Sequence, residues 1–256
     1  MEKKLVLGTD EFNYFLRCLG NLRDVCNDAD IQNGILRQRS NDMTIIYEMD
    51  MKEILQDVSL PISDIKRKID LLKVFSGSSE ITIDIRQDKD ESKSFYIIGD
   101  DVTQIKFVFP ARDFLDNTFV PEEELNNIFL FQDENLILDD DLQSLVAERI
   151  RVISDNFNVV SVQIRIQEDG QAKITAATQA SDQFATLKDD ITANMTFEEE
   201  VFINLSTIQF NLDCDGGFNL KVYKDPKENI TLNKLSTELG SVKINVYSRS
   251  MLNSDS

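Results

Sequence analysis

Apolar and polar residues follow two rhythms along this chain, and the changes of rhythm mark its elements. A short apolar strand, LVL at 5–7, leads into TDEF, where Thr9 is placed to cap a helix and Asp10 and Glu11 fall in its first turn. Phe12, Phe15, Leu16, Leu19, Leu22 and Cys26 then recur at three- and four-residue spacing and share one helical face, with Asn13, Arg17, Asn21 and Asp24 on the other. Alternation of the strand type follows at 31–39 and 43–50, divided by the turn-like SND. Ile62, Ile65, Ile69, Leu72 and Phe75 predict a second helix over about 62–75, and strands are expected at 80–87, 93–99 and 102–109.

The second half repeats this order. LILDDDLQSLV at 136–146 again runs a strand into an acid-capped helix, whose core face is Leu142, Leu145, Val146, Ile150 and Ile153. Residues 81–109 align without a gap on 218–246. In that register Ile81, Ile83, Ile85, Phe95, Val102, Ile105, Phe107 and Phe109 meet Phe218, Leu220, Val222, Leu232, Leu239, Val242, Ile244 and Val246. Period-two alternation makes some coincidence free, but the shared register and element order favour duplication. The expected domains are 1–112 and 135–248, joined by an acidic connector at 113–134 and followed by a short tail at 249–256. The connector, DFLDNTFVPEEELNNIFLFQDE, has no clean periodicity and reads as a linker. VFINLSTIQFNL at 201–212 stands where a fourth helix belongs, but its apolar residues also fit a strand.

Composition narrows the chemistry. There is no histidine, which removes the commonest general base and every Ser–His or Cys–His nucleophile. Cys18, Cys26 and Cys214 are scattered and form no CxxC pair, and neither a GxxxxGK[ST] nor a GxGxxG loop is present. No cofactor and no metal is implied. The acid triads at 122–124, 139–141 and 198–200 are expected by chance among 46 acids, and the second of them is explained as helix capping. No uncharged apolar run approaches the ~20 residues of a membrane span, and MEKKLVLGTDEF does not read as a signal peptide, so a cytoplasmic location is expected.

Charge changes the picture more. The formal net charge is -19, yet IKRKIDLLKVF at 65–75 carries Lys66, Arg67, Lys68 and Lys73 against Asp70 alone. On the helical wheel Arg67 points nearly opposite the core, Lys66 and Lys73 stand on one flank, and Lys68 leans to the other. Arg17 and Arg151 face away from the cores of their helices, Arg23 lies near a core edge, and Arg149 falls within an apolar arc.

The element order, performed twice across an acidic connector, resembles the sliding clamps of DNA replication. DDDLQSLVAERIRV resembles the opening of the second domain in clamps of tailed bacteriophages, and LPISDIKRKIDLLKVFSGSSEITIDI the second helix and next strand of their first. The resemblance spans nearly the whole chain in element order and extends to proliferating cell nuclear antigen. It implies an α+β, duplicated DNA-clamp fold, with two helices packed on antiparallel sheets in each domain, closing as a homotrimeric ring. It also implies duplex DNA, a replicative DNA polymerase and a clamp loader as partners, with no catalysis and no membrane. Arg17, Lys66, Arg67, Lys73 and Arg151 would then face DNA, whereas 201–212, without Lys or Arg, would attract little. Met43, Phe119, Val120, Pro121 and Tyr247 would line the groove that takes a partner's hydrophobic peptide. Alternatives are a clamp-like factor that does not close a ring, a duplicated β-rich virion or scaffold protein without a DNA role and, further off, a carboxylate-metal nuclease.

Overall fold

The computed structural model describes residues 3–87, 94–109, 119–128, 134–137, 149, 152, 159–166, 171–178, 184–192, 194–195, 201–206, 212–224 and 230–251. The chain divides into two compact units, one built mostly from residues up to Val120 and the other mostly from Pro121 onward.

The first unit runs β1 (Lys3–Gly8), α1 (Thr9–Leu22), β2 (Ala29–Gln32), β3 (Ile35–Arg39), β4 (Ile45–Asp50), α2 (Lys52–Leu55), β5 (Leu60–Ile62), α3 (Ile65–Leu72), a 3₁₀ turn (Lys73–Phe75), β6 (Glu80–Gln87), β7 (Ser94–Gly99) and β8 (Gln104–Val108). Two antiparallel layers result, ordered β1-β6-β7-β8 and β5-β2-β3-β4. Helix α1 buries Phe12, Phe15, Leu16, Cys18, Leu19 and Leu22 as its spacing requires. It packs against α3, which buries Ile65, Ile69 and Leu72. Phe75 is fully buried, with its ring edge-on to Phe12 at 6.2 Å.

Several expectations change here. Gly8, not Thr9, precedes the first helical turn: its N–H donates to Glu11 Oε2 at 2.8 Å, while the Thr9 hydroxyl donates to the Ser78 carbonyl at 2.9 Å. Helix α1 ends at Leu22, so Cys26 lies beyond it. Ile62 belongs to β5 rather than to the second helix, because the turn at Ser63 and Asp64 intervenes and Asp64 Oδ1 caps α3 by accepting from the Arg67 N–H at 3.3 Å. The segment 31–39 is not one strand. Asn33 (φ 52°) and Gly34 (φ 74°) form the tight turn between β2 and β3, the two-residue pairing that favours a hairpin of this kind. The connector is not featureless either: α4 (Glu122–Ile128) follows Pro121, with Glu122, Glu123 and Glu124 in its first turn, the favourable end for acids.

The second unit contains β9 (Glu134–Ile137), β10 (Val159–Ile166), β11 (Gln171–Thr178), β12 (Phe184–Thr192), β13 (Asn194–Met195), β14 (Val201–Ser206), β15 (Asn219–Lys224), β16 (Ile230–Leu239) and β17 (Val242–Met251). One sheet has the order β12-β11-β10-β14, and β9-β15-β16-β17 reproduces the order β1-β6-β7-β8, with β13 added beside β9. Residues 201–206 are therefore a strand, antiparallel to β10, in place of the start of a fourth helix. The third helix expected over 139–152 lies outside the described residues except for Arg149 and Val152.

Duplication is visible in the pairing. Thr82 faces Gly99 between β6 and β7, and Asn219 faces Ser236 between β15 and β16, so the gapless alignment carries one pair onto the other. It breaks at the next hairpin. Residues 100–103 connect β7 to β8, but Gly240 and Ser241 alone connect β16 to β17. The proposed equivalence of Val102 and Leu239 fails there, since Val102 is 91% exposed on a loop and Leu239 is fully buried in a strand.

Candidate nucleic-acid interface

The cations on α3 are sorted by the sheet beneath them. Lys66 and Arg67 are exposed, on the side of the helix away from Ile65, Ile69 and Leu72. Lys73, in the 3₁₀ turn that continues α3, is also exposed and donates from Nζ to Asp70 Oδ1 at 3.0 Å. Lys68 departs from this group. Its Nζ lies 5.4 Å from the Phe107 ring and 5.8 Å from the Tyr96 ring, and donates to Ser63 Oγ at 3.3 Å. Burial pulls the Lys68 pKa down, with Asp28 and Asp64 opposing the shift.

Helix α1 contributes from the side. Arg17 is half-buried, with its guanidinium carbon 5.8 Å from the centroid of the Tyr14 ring, one turn back along the same helix. Arg23 follows the last turn of α1, close enough to Asp70 to act on it. The Lys73 hydrogen bond first, then the charges of Lys73, Arg23 and Lys66, hold the Asp70 carboxyl below the usual carboxylate range. Lys73 is thus bonded to this exposed acid, on which the charges of Arg23 and Lys66 also act. The link through Arg23 depends on α1 packing against α3 and has no signature in sequence, whereas the Lys66–Asp70–Lys73 spacing does. Arg151 lies outside the described residues. Arg149 is half-buried.

The residues expected to form a peptide groove fall into different environments. Met43 is 59% exposed at the β3–β4 turn, in a left-handed conformation with φ 61°, where its N–H donates to the Ser40 carbonyl at 2.9 Å. Phe119 is half-buried and bridges antiparallel to Gln38 on β3. Val120 is fully buried and donates its N–H to the Arg37 carbonyl at 3.0 Å, so it anchors the connector and cannot be an open groove wall. Pro121 is exposed, and its carbonyl accepts the Leu125 N–H at 3.1 Å, starting α4. Tyr247, in the second unit, is nearly buried under Lys234, whose Nζ is 5.6 Å from the ring centroid.

Comparison with known proteins bears on the whole fold. No protein-family profile and no curated protein sequence matches the chain. Among solved structures, it is similar to the PCNA2–PCNA3 complex from Sulfolobus tokodaii, at 11% identity and a TM-score of 0.60, over 96% of this chain and 98% of that one. It is equally similar to the structure of the C-terminal region of FEN-1 bound to A. fulgidus PCNA, at 13% identity and a TM-score of 0.60 over the full length of both chains. With antiparallel sheets arranged twice and the helices α1 and α3 packed together, the chain has the α+β fold of the PCNA-type sliding clamps.

Proposed function

We propose that this protein is a sliding clamp: a homotrimeric ring that encircles duplex DNA, is placed there by a clamp loader and tethers a replicative DNA polymerase. The observation that carries the reading is the exposed cationic surface of α3, Lys66 and Arg67 with Lys73, in a chain of net charge -19 that has a clamp fold along its whole length. Lys and Arg contact phosphate largely irrespective of sequence, and a ring that slides needs such contacts without base recognition. The acids elsewhere repel DNA from other surfaces. The polymerase, held to a ring that cannot leave, meets its primer again at high effective concentration, so processivity rises without catalysis by the clamp.

In this reading Arg17, Lys66, Arg67, Lys73 and Arg151 face DNA. Partner peptides engage the first unit beside Met43 and Phe119. The setting is the cytoplasm of a host cell, with the chain encoded by a bacteriophage. The test is polymerase extension on primed circular DNA, with and without a loader. Stimulation by the natural protein, lost when Arg17, Arg67 and Arg151 are together changed to Glu, supports the reading; stimulation that survives that change sinks the DNA-facing assignment. A clamp-like factor that acts as a monomer or dimer without closing a ring would give the mass of one or two chains of 29.3 kDa in solution.

A further inference from the structure

We infer that Asp70 is a built-in counter-ion that competes with DNA phosphate for the cations around it and so keeps the clamp's grip on DNA weak. The inference rests on the reading of α3 as a DNA-facing helix. One carboxylate meets positive charge from two elements: Lys73 is hydrogen-bonded to it at 3.0 Å, and the charges of Lys66, four residues before it on α3, and of Arg23, just after α1, also act on it. Its i,i+4 and i,i+3 pairs with Lys66 and Lys73 support the helix only weakly, and no capping role calls for an acid there. Asp70 lies in the second half of α3, a helix spanning Ile65–Leu72, where the helix dipole disfavours negative charge, and the cap at the other end is already supplied by Asp64. Nor is it buried: its side chain is 54% exposed and that of Lys73 56%.

Cations acting on one carboxylate are partly neutralised by it, and a DNA phosphate that meets them has to take its place. Exposed ion pairs are weak enough for a DNA phosphate to displace Asp70, but each displacement gives back part of the attraction. Contacts to DNA are therefore exchanged at low cost as the protein moves along it.

The experiment is fluorescence anisotropy of a labelled short duplex titrated with full-length protein over a series of salt concentrations. Asp70→Asn should tighten binding roughly two- to fivefold at low salt, the scale of an exposed ion pair, and steepen the dependence of log K on log salt by up to about 0.9, the value for one added phosphate contact. Asp70→Asn/Lys73→Met should lose that gain. Glu53→Asn, at an exposed position on α2, should leave affinity and slope unchanged and so separates a local effect from the loss of one negative charge. Unaltered binding by Asp70→Asn, or an equal gain in Glu53→Asn, overturns the inference. If the natural protein and Asp70→Asn both lack any salt-dependent affinity for duplex, the DNA-facing reading itself fails.

Discussion

Arg67 and Lys68 are adjacent on α3, yet their charges sit in different surroundings. The Arg67 side chain is exposed to solvent, while the Lys68 ammonium is half-buried over Phe107 and Tyr96 and bonded to Ser63. A cation satisfied by aromatic faces and a hydroxyl has little left for phosphate. Arg67→Met should therefore lower the salt slope of duplex binding by about 0.9, one phosphate contact. Lys68→Met should leave affinity and slope as they are, and a loss of slope in Lys68→Met would overturn the division. The wheel alone separates Lys68 from Arg67, but the reason is not local: Tyr96 and Phe107 come from strands that return to α3 after a long excursion of chain.

Asp100 gives a residue-scale test of a different kind. Its carboxylate accepts from Ser78 Oγ and from the N–H groups of Val102 at 2.9 Å and Thr103 at 2.7 Å, which holds its pKa below the usual value, with the Ser78 hydrogen bond the largest cause. A depressed folded-state pKa means that the unfolded chain binds the proton more readily. The stabilisation is then complete above the ordinary Asp value of about 4 and is lost as pH falls through the folded value. Urea unfolding should find Asp100→Asn less stable than the natural protein at neutral pH, with the two converging in acid. A difference that stays constant down to low pH would rule out the charged form as the source.

At the scale of elements, legibility follows how far each signal is local. Helices α1 and α3 and strands β6 and β7 were readable because one face is buried and the other is not, so the period is clean. The segment at 201–206 was ambiguous because apolar residues at positions 201, 202, 203 and 205 satisfy either period, and pairing to β10 decides it. The Asn33–Gly34 turn carried a usable local signal that a periodicity reading passes over. The contact of the connector with β3 through Phe119 and Val120 had none. Phe75 shows what the element packing is worth. It follows α3 in the 3₁₀ turn, is fully buried and meets Phe12 of α1 edge-on, so Phe75→Ala should cost about 3–5 kcal/mol, as large-to-small changes at buried aromatics do. Chemical denaturation measures this, and a loss well under 1 kcal/mol would mean that α1 and α3 are held together by other contacts.

At the scale of the whole molecule, the proposed ring makes a demand on β8. Among the described residues β8 has a strand neighbour on one side only, β7, and an open edge of this kind is a template for another chain. The ladder fixes which groups are available. The Phe109 N–H donates to the Ser94 carbonyl and the Asp100 N–H to the Thr103 carbonyl. Because hydrogen-bonded pairs alternate in an antiparallel ladder, Phe107 and Ile105 also bond inward to Tyr96 and Ile98. Gln104, Lys106 and Val108 then turn their N–H and C=O groups outward, and Val108 is 54% exposed. Lys106→Pro removes an outward donor without touching a bond to β7, and an edge strand accepts proline there. Light scattering should give the natural protein three times its 29.3 kDa chain mass and Lys106→Pro the mass of one chain, with an unchanged circular-dichroism spectrum showing that the fold is kept. A trimer that survives Lys106→Pro would move ring closure away from β8; a natural protein that is a single chain at micromolar concentration would leave a clamp-like factor that does not close.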